Sequence, residues 1–165
     1  MPKPTKNAVL ICSIITIATA IFAAIAFWYH QPLWIIAGLL PAVLYEAYRT
    51  EEGASTKVSS IFLLVVLVLE IILIVFKVNF DLAAFLGKTS TYVAGYQLPL
   101  GDIKIVGPIL SALLSVVLFF RTRGTYTRWL AVVICLGSLT AVYILNPSFF
   151  QTVLKLLVNG LLERL

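Results

Sequence analysis

From Ala8 to Tyr29 the chain runs 22 residues without a charge, and comparable apolar runs recur along its length. A helix needs about 20 mostly apolar residues to cross the hydrocarbon of a bilayer. Segments 8–29, 33–48, 58–78, 105–120 and 129–145 reach or approach that length. Backbone polar groups in lipid must be satisfied within the chain, so such runs must be helical. The sequence therefore predicts an all-α fold: a polytopic transmembrane bundle of about five spans, forming one membrane domain over 1–165. Composition points the same way. Hydrophobic residues make up 61% and charged residues 12% of the 165, against about 45–50% and about 25% in soluble domains.

Lys3 and Lys6 precede the first run as they would in a signal peptide. However, 22 residues exceeds the about 7–15 of a signal core, so a retained first helix is expected. The second segment is short and carries Pro41, which predicts a kink. Only His30-Gln31-Pro32 joins it to the first, which predicts a tight antiparallel hairpin.

Basic residues orient the spans. With the N-terminus inside, Lys3, Lys6, Arg49, Lys57, Arg121, Arg123 and Arg128 lie inside; Lys77, Lys88, Lys104, Lys155 and Arg164 lie outside. Trp28, Tyr29 and Trp34 then mark the outer interface, and Tyr45, Tyr48, Tyr126 and Trp129 the inner one. This pattern and the compact loops point to a prokaryotic cytoplasmic membrane. The net charge of +5 is spread over span ends, which suits anionic headgroups rather than nucleic acid.

Two regions depart from plain spans. Stretch 79–104 forms an outer loop or cap: Asp81 is placed to cap a short helix from Leu82 to Leu86, stopped by Gly87. Within it, Thr91-Tyr92-Val93 and Ile103-Lys104-Ile105-Val106 read as strands. In the tail over 148–165, Ser148, Gln151, Thr152, Lys155, Asn159 and Glu163 recur at three- and four-residue steps. That spacing predicts an amphipathic helix after a break at Asn146-Pro147, lying in the outer interface. A sixth span and a helix packed on a partner are the alternatives.

Glu70 is the sole polar side chain between Ile61 and Phe76. It falls two or three residues past the middle of 58–78, about 4 Å from the midplane at 1.5 Å per residue. An ionised carboxylate at such a depth costs about 2.5–3.5 kcal/mol on insertion scales. The expected responses are protonation or a buried partner. Three readings follow: a neutral acid bonded to a neighbouring hydroxyl, a group paired with another protein, or a proton or cation site. Glu46, about one turn inside the second span, is the second candidate membrane carboxylate.

Helix-packing faces are expected at Gly107, Ser111 and Ser115, a small-residue ladder, and at Ser13, Thr16, Ala20 and Ala23. Arg121, Arg123 and Arg128 form a basic loop that anchors topology or contacts headgroups or an acidic partner. His30 reads as an interfacial residue, and Cys12 and Cys135 as packing residues without metal or redox spacing. No paired carboxylates, nucleophile–base set or metal cluster appears, so neither an enzyme nor a cofactor is expected. The expectation is an accessory, scaffold or assembly subunit that sits in lipid beside other membrane subunits. The alternatives are a small homo-oligomeric channel or transporter with Glu70 in its path, and a membrane-perturbing effector acting through the tail.

Overall fold

A computed structural model of the chain describes residues 7–49, 54–77, 91–93, 96–98, 103–122, 124–148, 150–151 and 158. Its long elements are helices: α1 Ala8–Tyr29, α2 Pro32–Arg49, α3 Ala54–Val75, α4 Ile103–Arg121 and α5 Thr125–Leu145. Four of them, α1, α3, α4 and α5, are long and apolar enough to cross a membrane. The fold is the expected helical membrane bundle. α2 spans 18 residues and carries Pro41, Glu46 and Arg49, so it is the least apolar of the five. Its helix runs unbroken through Pro41.

The helices pack in an up-and-down order. α2, α3, α4 and α5 each contact the next, α5 closes back on α2, and α1 lies against both α2 and α5. Short connections impose this arrangement on α1 and α2, α2 and α3, and α4 and α5, because helices joined by a few residues must run antiparallel and adjacent. His30, in the left-handed region at φ 50°, ends α1, and its N–H bonds to the Ala26 carbonyl. Near the other end of the bundle, the Arg49 guanidinium lies 5.0 Å above the Tyr126 ring.

α2 is tolerated at the centre because close approach replaces lipid contact. A Cβ on Gly38 would lie 2.5 Å from Phe22 Cβ, and one on Gly137 would lie 2.5 Å from Leu39 Cδ2. Both glycines let neighbouring backbones come together, which in lipid supplies the packing that the hydrophobic effect cannot. At the first crossing the Thr19 hydroxyl reaches the carbonyls of Ile15 at 2.9 Å and Gly38 at 3.2 Å, tying α1 to α2. Trp129 Nε1 donates to Thr16 Oγ1 at 3.0 Å, tying α5 to α1. Ile35, Leu39, Val43, Leu63, Leu67, Leu118, Leu130 and Ile134 fill the middle.

Two expectations change at the ends of elements. The third span stops at Val75, not 78, in a turn with Lys77 at φ 50°. Ile103 to Val106 is the first turn of α4, not a strand. A crossing of the bilayer needs those residues, and tertiary demand outweighs their β-branched propensity. Thr91–Val93 does form a strand, paired antiparallel with Tyr96–Leu98. Asp81 and the expected helix from Leu82 to Leu86 lie outside the described residues. So does most of the amphipathic tail; Asn146 ends α5 in an extended conformation, and Phe150 N–H bonds to its carbonyl as helix resumes.

Candidate functional site

Glu70 sits on the face of α3 turned towards α4, 2% exposed. Leu63, Val66 and Leu67 share that buried side, while Ile61, Phe62, Val65, Val68, Leu69 and Ile72 face outward. The carboxyl packs closely against Gly107. A Cβ there would lie 3.2 Å from each of Glu70 Cγ, Cδ and Oε2. Among the described residues, Glu70 Oε1 has no hydrogen-bond partner.

Glu70 lies five residues, about 7 Å along the axis, before the end of α3 at Val75. Opposite it, Gly107 is only four residues into α4. Lys104 therefore lies one turn outward of Gly107 on the same side of α4, since residues three apart are neighbours on a helix. It is the nearest basic residue to Glu70 by register. Sequence reasoning passed it over because Lys77, on the same helix as Glu70, is the more obvious neighbour.

Along α4, Ser111 and Ser115 continue the Gly107 face, 1% and 0% exposed. Ser115 donates to the Ala112 carbonyl at 2.7 Å, while Ser111 Oγ has no partner. Ser138 Oγ on α5 is likewise buried and has no partner among the described residues. A buried hydroxyl without a partner is uncommon in folded proteins.

Glu46 is fully buried on α2. It lies three residues from the Arg49 end of its helix, whereas Glu70 lies sixteen from Ala54. The two carboxylates are thus about 20 Å apart along the bundle at 1.5 Å per residue and do not form a pair. On α1, the buried residues are Ala8, Cys12, Ile15, Thr19 and Ala26. Ser13 and Thr16 are half-buried and Ala20 is exposed, so Thr19 holds the contact with α2. Arg128 turns back on its own loop, with Nε donating to the Thr122 carbonyl at 2.8 Å and the guanidinium 6.0 Å from the Phe119 ring. Arg121 is exposed, and Arg123 lies outside the described residues. His30 is exposed, Cys12 buried and Cys135 half-buried, both cysteines free. Among the described residues, no three of His, Cys, Asp or Glu gather as metal ligands would.

These features define a multi-pass helical membrane protein. No protein-family model, curated protein or solved structure matches the chain.

Proposed function

We propose that the chain is a non-catalytic subunit of a larger membrane complex, acting as an accessory, scaffold or assembly component. One observation carries this reading: the interior is filled with large aliphatic side chains contributed by α2, α3, α4 and α5. A bundle with a packed core has only its surfaces to work with. Those surfaces are the lipid-facing sides of α1 and α3 and the ends of α4 and α5 around Arg121 and Arg128. The same packing counts against a conduction path, which needs polar groups spaced along its length. In this reading the protein resides in a prokaryotic cytoplasmic membrane with its N-terminus inside, as the arginines of the α4–α5 loop favour.

The test is native mass measurement after isolation of the tagged chain in mild detergent. The expected result is stoichiometric recovery with larger integral subunits, whose abundance drops when this chain is deleted. A pure homo-oligomer, with all other membrane proteins unchanged on deletion, refutes the reading. Proton or cation flux through liposomes of the purified chain, abolished by Glu70→Gln, would establish the channel instead.

A further inference from the structure

Among the large aliphatic residues of the interior, three side-chain oxygens are buried without a hydrogen-bond partner among the described residues. They are Glu70 Oε1 on α3, Ser111 Oγ on α4 and Ser138 Oγ on α5. Buried polar atoms are normally paired, with protein or with ordered water. Three exceptions on three neighbouring helices call for a common explanation.

Helix direction brings them to one level. Trp129 meets Thr16 and Tyr143 meets Phe27, so α5 runs parallel to α1. α4 precedes α5 by a short turn and opposes it, while α3 follows α1 after two short reversals and shares its direction. α3 and α4 are therefore antiparallel. Glu70 packs against Gly107, and Ser111 stands one turn, about 6 Å, further along the same face of α4. Each Cβ of a helix tilts towards its N-terminus. Glu70 thus leans from the level of Gly107 towards Ser111, and Ser111 leans back towards Glu70. Ser138 lies thirteen residues after the start of α5 at Thr125, and Pro108 thirteen before the end of α4 at Arg121. That count sets Ser138 at the depth between Gly107 and Ser111.

We propose that this level of the bundle is a binding site for one buried water, held by Glu70 Oε1 and Ser111 Oγ and completed by Ser138 Oγ. The rise of about 6 Å from Gly107 to Ser111 is close to two hydrogen bonds of about 2.8 Å placed end to end through a shared oxygen. A water donates to the carboxyl oxygen and exchanges hydrogen bonds with the two hydroxyls. Buried waters typically make about three such bonds to groups that lack other partners, which matches the three oxygens present. Calcium takes six to eight oxygen ligands and magnesium a near-ideal octahedron; these three side chains fall short of either, even with both carboxyl oxygens counted. The water ties α3 to α4 and α5 through bonds that these side chains do not make with one another. This proposal concerns the chain alone and stands whether or not it joins a larger complex.

The experiment is a crystal structure of the full-length chain grown from lipid, fine enough to show internal waters, beside that of Ser111→Ala. Wild type should show one density peak within about 2.7–3.2 Å of both Glu70 Oε1 and Ser111 Oγ. In Ser111→Ala the peak should be lost while the helices stay in place. A wild-type map without the peak overturns the proposal, and so does a peak that persists unchanged in Ser111→Ala. Crystals grown with rubidium in place of sodium test the occupant: an anomalous peak in the site would replace the water with a cation. Thermal midpoints in nanodiscs give an independent readout. Ser111→Ala and Ser138→Ala should each lower the midpoint, and the double variant should lower it by clearly less than their sum, because both lose the same water. Strictly additive losses refute the shared site. If Ser111→Ala does not crystallise, the wild-type map and the midpoints decide.

Discussion

Gly38→Ala and Gly137→Ala probe the two close crossings of α2, and they should not behave alike. At both, a new Cβ would lie 2.5 Å from its nearest neighbour, where carbon atoms prefer about 3.5–4.0 Å. At Gly38 that neighbour is Phe22 Cβ, with Cγ at 2.9 Å. A Cβ cannot move without its helix, so α1 and α2 must separate by about 1 Å. Overpacking of this kind costs about 1–3 kcal/mol, and the Thr19–Gly38 hydrogen bond is stretched as well. Replacing glycine in a helix returns about 0.5–1 kcal/mol, leaving a net loss of about 1–2 kcal/mol. At Gly137 the neighbour is Leu39 Cδ2, a terminal methyl. It can swing aside for about 0.5–1.5 kcal/mol of rotamer strain, which the helix-propensity gain largely offsets. The assay is reversible unfolding in mixed micelles, followed by tryptophan fluorescence. Gly38→Ala should lower stability by about 1–2 kcal/mol, and Gly137→Ala should change it by less than about 0.5 kcal/mol. In a Leu39→Ala background, Gly137→Ala should become stabilising. Equal losses at the two glycines, or a larger one at Gly137, would show that the reasoning from the mobility of the neighbour is wrong.

Three further outcomes follow from single contacts. Trp129→Phe removes the bond to Thr16 and should cost about 0.6 kcal/mol, the mean for hydrogen bonds between membrane helices; Thr16→Val added to it should cost little more. His30→Gly relieves a left-handed residue at the end of α1 and should raise the unfolding midpoint by the equivalent of about 0.5–1 kcal/mol. Arg128→Met frees the Thr122 carbonyl at a cost of about 1 kcal/mol, and hydrogen exchange in the last turn of α4 should accelerate.

Much of the fold was legible because lipid imposes one strong rule. The first run, 8–29, matches α1 to the residue, and α5 differs from the expected 129–145 only by an extra first turn. What composition cannot register is direction. The apolar run of the third span continues through Phe76 and Val78, yet the backbone turns at Lys77, which leaves Glu70 close to the C-terminal end of its helix. Small residues on α1 marked a face, but Thr19 and Ala26 rather than Ala20 meet the neighbours, since a helix of apolar residues offers little pattern to fix its rotation. Gly38 and Gly137 drew no notice in the sequence because a glycine reveals a close crossing only once its opposite number is known. Glu70 was visible from its chemistry; that it rests on Gly107, with Lys104 one turn beyond, required the register of α3 against α4.

The closure of α5 on both α1 and α2 has a consequence for how the chain is made. Thr16 and Trp129 are 113 positions apart in sequence, so the bond between them waits until α5 has emerged from the ribosome. Until then the α1–α2 hairpin stands in the bilayer with one flank uncovered, and the hydroxyl of Thr16 has no indole to receive. A truncated chain ending before α5 would present that flank permanently. α5 thus certifies α1, and a quality-control protease that reads exposed flanks in the membrane would find chains lacking α5 at the Thr16 face.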